Sequence, residues 1–201
     1  GLVNGSFESG FTGWTSTGNQ TIQTATIYAP TNGTKLISFN GANTTPNAVL
    51  SQSFATTPGQ MCTLAFDAGV FAYNTNSQTL QVTVTGTNSL LAQTVTLFGN
   101  GLGTARWQAQ SFTFVANSST TTLTFRDQSA TTAAIDLLLD NVRVTAAAAA
   151  VAPTGSNSAI TQSPTGMGPL SLAGTPGDFT IRMTASQPGY YVLERSEDLR
   201  S

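Results

Sequence analysis

Strict alternation of polar and apolar residues in Thr79-Leu80-Gln81-Val82-Thr83-Val84-Thr85 constrains this chain more than any other feature. A period of two sends successive side chains to opposite faces of an extended strand, so Leu80, Val82 and Val84 face a core and the threonines face water. The same reading fits Lys35 to Phe39, Ala48 to Phe54, Gln60 to Phe66, Gln93 to Phe98, Trp107 to Val115, Thr120 to Arg126 and Ile135 to Thr145. Turn-forming residues separate these runs at Pro58-Gly59, Gly86-Thr87-Asn88, Gly99-Asn100-Gly101 and Asn117-Ser118-Ser119. No stretch sustains a helical period with caps. The pattern predicts an all-β, antiparallel jelly-roll β-sandwich over residues 1–145, closed by two sheets packed face to face.

After Thr145 the composition shifts to Ala, Gly, Pro and Ser, which predicts a linker over 146–177. Residues 178–201 then read as a β-hairpin, Phe179 to Thr184 against Tyr190 to Arg195. A hairpin alone is marginally stable in water. Phe179, Ile181, Tyr190 and Val192 therefore need a surface, either their own sandwich or a neighbouring copy, and this predicts self-assembly through the C-terminal extension.

Charge removes several classes of function. Only 8% of the 201 residues are charged and the net charge is −2, which leaves no basic footprint for nucleic acid or an anionic membrane. No apolar run approaches the roughly 20 residues that span a bilayer. Cys62 is the single cysteine, so no internal disulfide forms and the thiol is expected in the core. The chain has no histidine, which excludes Ser-His-Asp and Cys-His nucleophilic systems. A glycosidase needs only two carboxylates, yet Asp136 and Asp140 on one strand face stand about 13 Å apart at roughly 3.3 Å per residue. That exceeds the spacing of about 5 Å in retaining enzymes, and no enzyme is expected. Low charge, Thr-rich strands and a start at Gly1-Leu2-Val3 without a leader point to an exported, extracellular or cell-surface chain.

Two segments stand out beyond the strand pattern: Asn4-Gly5-Ser6-Phe7-Glu8 with Gly13-Trp14, and Leu137 to Val144 containing Asp140-Asn141. They read as the opening and closing strands of one sandwich, with Glu8 and Asp140 side by side. Paired carboxylates repel unless a cation separates them, and oxygen-only ligation suits calcium.

These segments, together with Leu50 to Phe54, Pro58-Gly59-Gln60, Leu64 to Ala68, Trp107 with Phe112-Thr113-Phe114, and Leu139 to Val142, carry a resemblance. Residues 1 to about 145 resemble the galactose-binding-like jelly-roll domains, particularly the calcium-bearing carbohydrate-binding modules of secreted bacterial proteins. The resemblance implies a structural calcium ion held by the side chains of Glu8 and Asp140 and a backbone carbonyl near Lys35. It also implies core positions for Trp14 and Trp107. Tyr28, Phe71 and Tyr73 then remain as aromatic platforms for a sugar ring, beside Asn74, Asn76 and Gln78. Two functions follow: a self-assembling structural or adhesive subunit built on this scaffold, and, as the alternative, a polysaccharide-binding module.

Overall fold

The computed structural model describes residues 1–39, 44–147, 171–175 and 178–182. The chain divides into two compact units, Gly1–Ala147 and Ala148–Ser201. The first is a sandwich of two five-stranded sheets. One sheet holds, in spatial order, β1 (Thr15–Thr17), β4 (Val49–Ala55), β9 (Thr120–Asp127), β6 (Ser77–Thr85) and β7 (Ser89–Phe98). The other holds β2 (Gln20–Gln23), β3 (Leu36–Phe39), β10 (Ile135–Ala146), β5 (Met61–Ala72) and β8 (Thr104–Val115). Every pairing in both sheets is antiparallel.

Alternation places Leu80, Val82 and Val84 of β6 and Leu64 and Phe66 of β5 in the space between the sheets, where all are buried. Phe66 meets Phe125 edge-on at 5.1 Å between ring centroids, linking the two sheets at the centre of the core. Cys62 is buried among these side chains.

Leu137, Leu138 and Leu139 break the alternation because β10 is covered on both faces. Leu137 and Leu139 belong to the main core, whereas Leu138 joins Leu36 and Phe71 in a second cluster that Tyr28, Ala105 and Trp107 pack against. A short 3-10 helix, Thr26–Tyr28, and the loop after it lead from β2 to β3 and bring Tyr28 to this cluster.

Several expectations change. The N-terminal segment is not a strand: residues 5–13 are turns, and the first strand begins at Thr15. Asn4, at φ 50°, organises those turns by donating from its amide to the Gly10 and Thr12 carbonyls and accepting from the Ser9 N–H. The closure with the last strand runs instead through Gly5, whose carbonyl accepts from Val142 N–H at 2.8 Å. A side chain at Gly5 would collide with the Val142 carbonyl. Trp14 is a core residue, packed on Phe7 and Phe125 and donating to the Asn4 carbonyl.

Trp107 is not in the main core. The register of β8 against β5 is unbroken, so Trp107, paired with Gly69, faces away from Phe112 and Phe114, five and seven residues further on. An odd separation on a regular strand means opposite faces. Gly69 is required there, since an added Cβ would lie 2.7 Å from the Trp107 ring.

In the second unit, β11 (Ser171–Thr175) pairs antiparallel with β12 (Asp178–Arg182). The strand containing Phe179 and Ile181 is present, but its partner comes from the stretch read as linker, with Gly174 opposite Phe179 and Leu172 opposite Ile181. Tyr190 and Val192 lie outside the described residues. The observed pairing gives a self-assembling subunit no support.

Candidate functional site

Glu8 and Asp140 both grip the segment that leads into β3. Asp140 is fully buried, and its Oδ2 accepts from Thr31 N–H, Thr31 O–H and Asn32 N–H at 2.7, 3.2 and 2.9 Å. Its Oδ1 accepts from Asn141 N–H. Three positions along, Glu8 Oε1 accepts from Thr34 N–H and Lys35 N–H at 2.8 and 2.7 Å, and Oε2 accepts from the Thr34 hydroxyl. Gly33, at φ 77°, lets the Glu8 carboxylate lie against the backbone. The Thr34 and Lys35 amides hold the Glu8 carboxyl below its ordinary range. Burial pushes Asp140 above its own, against the pull of the Asn32, Asn141 and Thr31 donors.

This arrangement does not fit the calcium ion that the resemblance implies. One oxygen of each carboxylate is filled by N–H donors, leaving Oε2 and Oδ1 with one donor apiece. Calcium takes six to eight oxygens. Lys35 presents its N–H and its ammonium, not its carbonyl, to Glu8: Nζ donates to the Glu8 carbonyl at 2.7 Å. The ammonium of Lys35 stands beside Glu8, and the carboxylates act as a clamp for their own chain.

The three aromatic residues singled out in the sequence come together. Tyr28 and Phe71 have ring centroids 4.8 Å apart, and Phe71 and Tyr73 meet edge-on at 5.5 Å. They are not equivalent. Phe71 lies within β5 and is only 5% exposed, Tyr28 is half-buried, and Tyr73 is 66% exposed. Tyr28 donates its hydroxyl to Asp136 at 3.0 Å, and its carbonyl accepts from the Trp107 indole N–H at 3.2 Å. Burial, then the neighbouring Asp136 charge, raises the Tyr28 phenol to about 12. Tyr28 and Phe71 are thus a base on which the exposed ring of Tyr73 stands.

Asn74 and Gln78 serve the loops. The Asn74 amide donates to the Ala133 carbonyl and accepts from Asn76 N–H, which fixes the turn between β5 and β6. Gln78 is fully buried and donates to the Thr131 carbonyl.

The β7–β8 loop completes this end of the sandwich. Gly103, at φ 63°, lies directly against the Tyr73 ring, where any side chain would collide. Leu102 beside it is 76% exposed, and Phe98, the last residue of β7, is 64% exposed. Next to Phe98 the edges of the two sheets part. A groove of about 350 Å³ opens between β7 and β8, lined by Val70, Thr96, Leu97, Phe98, Arg106, Trp107 and Gln108.

A family model described as protein of unknown function (DUF642) matches residues 8–145. The chain belongs to the DUF642 family. No curated protein matches it in sequence. Among solved structures, this DUF642 sandwich is similar to TmCBM61 in complex with β-1,4-galactotriose, at 15% identity and a TM-score of 0.54, covering 73% of this chain and 97% of that one. It is also similar to the K1 cleaved adhesin domain of Lys-gingipain from Porphyromonas gingivalis W83, at 20% identity and a TM-score of 0.55, covering 71% and 96%. At such identities the likeness shows the fold, a jelly roll of the carbohydrate-binding-module type.

Every carboxylate of the DUF642 sandwich is engaged by its own fold: Glu8 and Asp140 in the clamp, Asp136 with Tyr28, Asp67 with Asn141, and Asp127 with Ser129 N–H. None lines the groove. Sequence reading missed Phe98, Leu102, Arg106 and Gln108. Parity could have found Phe98, because Val95 and Leu97 inward put it outward.

Proposed function

We propose that this DUF642 chain is a non-catalytic polysaccharide-binding module of an exported protein, and that it meets its ligand at the Tyr73 end of the sandwich. One observation carries the reading: Tyr73, Phe98 and Leu102, three of the most exposed large apolar side chains, gather around one loop beside the groove that holds Gln108. Water-exposed apolar side chains concentrated at one place mark a contact surface. A pyranose has an apolar face that stacks on an aromatic ring and hydroxyls that need amide or guanidinium partners, and both chemistries occur here. That a module of the same fold, TmCBM61, has been solved with β-1,4-galactotriose supports the reading.

The expected pose lays a sugar ring on an exposed face of Tyr73, whose ring packs against Gly103. Affinity electrophoresis of the full chain through gels containing plant and microbial polysaccharides tests this. At least one polymer is expected to retard the chain. Tyr73→Ala is expected to weaken that binding about tenfold, or about 1.4 kcal/mol, without changing the melting temperature, because the ring is exposed. Unretarded migration in every gel, or full binding by Tyr73→Ala, contradicts the proposal.

A further inference from the structure

The inward face of β8 reads Arg106, Gln108, Gln110, Phe112, Phe114. Opposite them on β5 stand Val70, Ala68, Phe66, Leu64 and Cys62, all buried. At the Phe112–Phe114 end the strand contributes phenylalanines to the core. Toward Arg106 the same register positions turn polar, and there the groove opens. A sandwich that closed along its whole edge would carry apolar residues at these positions. The polar residues are therefore matched to something that enters the gap.

Arg106 is the cation of that gap. It is exposed, and its side chain makes no ion pair or hydrogen bond among the described residues. No carboxylate occurs among the groove's lining residues, which are otherwise apolar or neutral. The sandwich has four basic residues: Lys35 and Arg143 donate to backbone carbonyls, and Arg126, on β9, does not line the groove. A guanidinium presents a planar fork of N–H donors that matches a carboxylate in bidentate fashion. Gln108 lines the same groove and adds an amide suited to hydroxyl groups.

We infer that the β7–β8 groove is a subsite for a carboxylate-bearing sugar, with Arg106 binding the carboxylate and Gln108 a neighbouring hydroxyl. The inference rests on the polysaccharide-binding reading and narrows it to glycans containing uronic acids. Tyr73 and Phe98 stack the chain of sugars, and Arg106 selects the acidic ones.

The test compares each of polygalacturonate, alginate and glucuronoxylan with its own carboxyl-reduced, neutral counterpart, using isothermal titration calorimetry on the full chain. Wild-type protein is expected to bind one acidic polymer at least about tenfold tighter than its reduced form, with binding weakened by salt. Arg106→Gln is expected to remove that preference, so that the acidic polymer and its reduced form bind the variant equally. Arg106→Lys, which keeps the charge and loses the fork, is expected to fall between. Equal binding of both forms, or a preference that survives Arg106→Gln, overturns the assignment of Arg106 and leaves the polysaccharide-binding reading standing. Binding to no polysaccharide, acidic or neutral, overturns both. Both variants lie at an exposed position, and a melting temperature equal to wild type confirms that the affinities report the site.

Discussion

Individual residues decide how closely the sandwich can pack where its opening segment meets β10. Gly5 lies so near the Val142 carbonyl that Gly5→Ala must push the last strand away or break the Val142-to-Gly5 hydrogen bond. Overpacking of this kind costs roughly 1–3 kcal/mol, to be read as a fall in the melting temperature by circular dichroism. Asn4, Gly5, Phe7, Glu8 and Trp14 were recognisable in the sequence as a set, but their tasks were not. Those depend on which backbone groups meet them across the fold: Thr34 and Lys35 for Glu8, the Asn4 carbonyl for Trp14. Tyr28 offers a test through pH. Its phenol is raised to about 12 from the ordinary 10.0, chiefly by burial, so it contributes stability that is complete below pH 10.0 and lost as pH rises through about 12. Denaturant titrations across this alkaline range are expected to show a steeper loss for wild type than for Tyr28→Phe. Equal slopes would show that the ring is solvated.

At the level of elements, the sequence announced strands wherever alternation coincided with one buried face. β6, β4 and β9 appear within a residue or two of where the pattern put them. β1 and β2 were silent because Thr15–Thr17 and Gln20–Gln23 are short, polar and at sheet edges, with little apolar period to read. β5 ran beyond Phe66 to Ala72, since Ala68, Val70 and Ala72 keep the inward parity with small side chains while Gly69 and Phe71 serve the outer cluster. That extension is what turned Phe71 from an expected platform into the base beneath Tyr73. The Thr31–Lys35 segment is held by Glu8 and Asp140 through N–H and O–H donors, an arrangement invisible to a reading of charges alone. It carries a distinct expectation: neither calcium nor a chelator shifts the melting temperature, whereas Glu8→Gln lowers it. The Glu8 contribution is present above the ordinary glutamate value of 4.5 and disappears as pH falls through its lower folded value, so Glu8→Gln also flattens the acid limb. A rise in melting temperature on adding calcium would restore the ion to this site.

Across the whole sandwich, the low charge read from composition takes a specific form: carboxylates are engaged within the fold, and an arginine whose side chain has no partner among the described residues lines the open edge. Fold class and the exclusion of histidine chemistry were legible from sequence. The position of the contact surface was not, because Tyr73, Phe98, Leu102 and Arg106 are dispersed along the chain and are gathered only by the pairing of β5 with β8 and β6 with β7. The most direct measurement is a titration of the isotopically labelled chain with oligosaccharides of whichever polymer retards it, followed by backbone amide chemical shifts. Shifts confined to Tyr73, Phe98 to Gly103 and Arg106 to Gln108 are expected. Shifts concentrated on β1 and β4, far from that loop in the sheet order, or none at saturating sugar, would contradict the account.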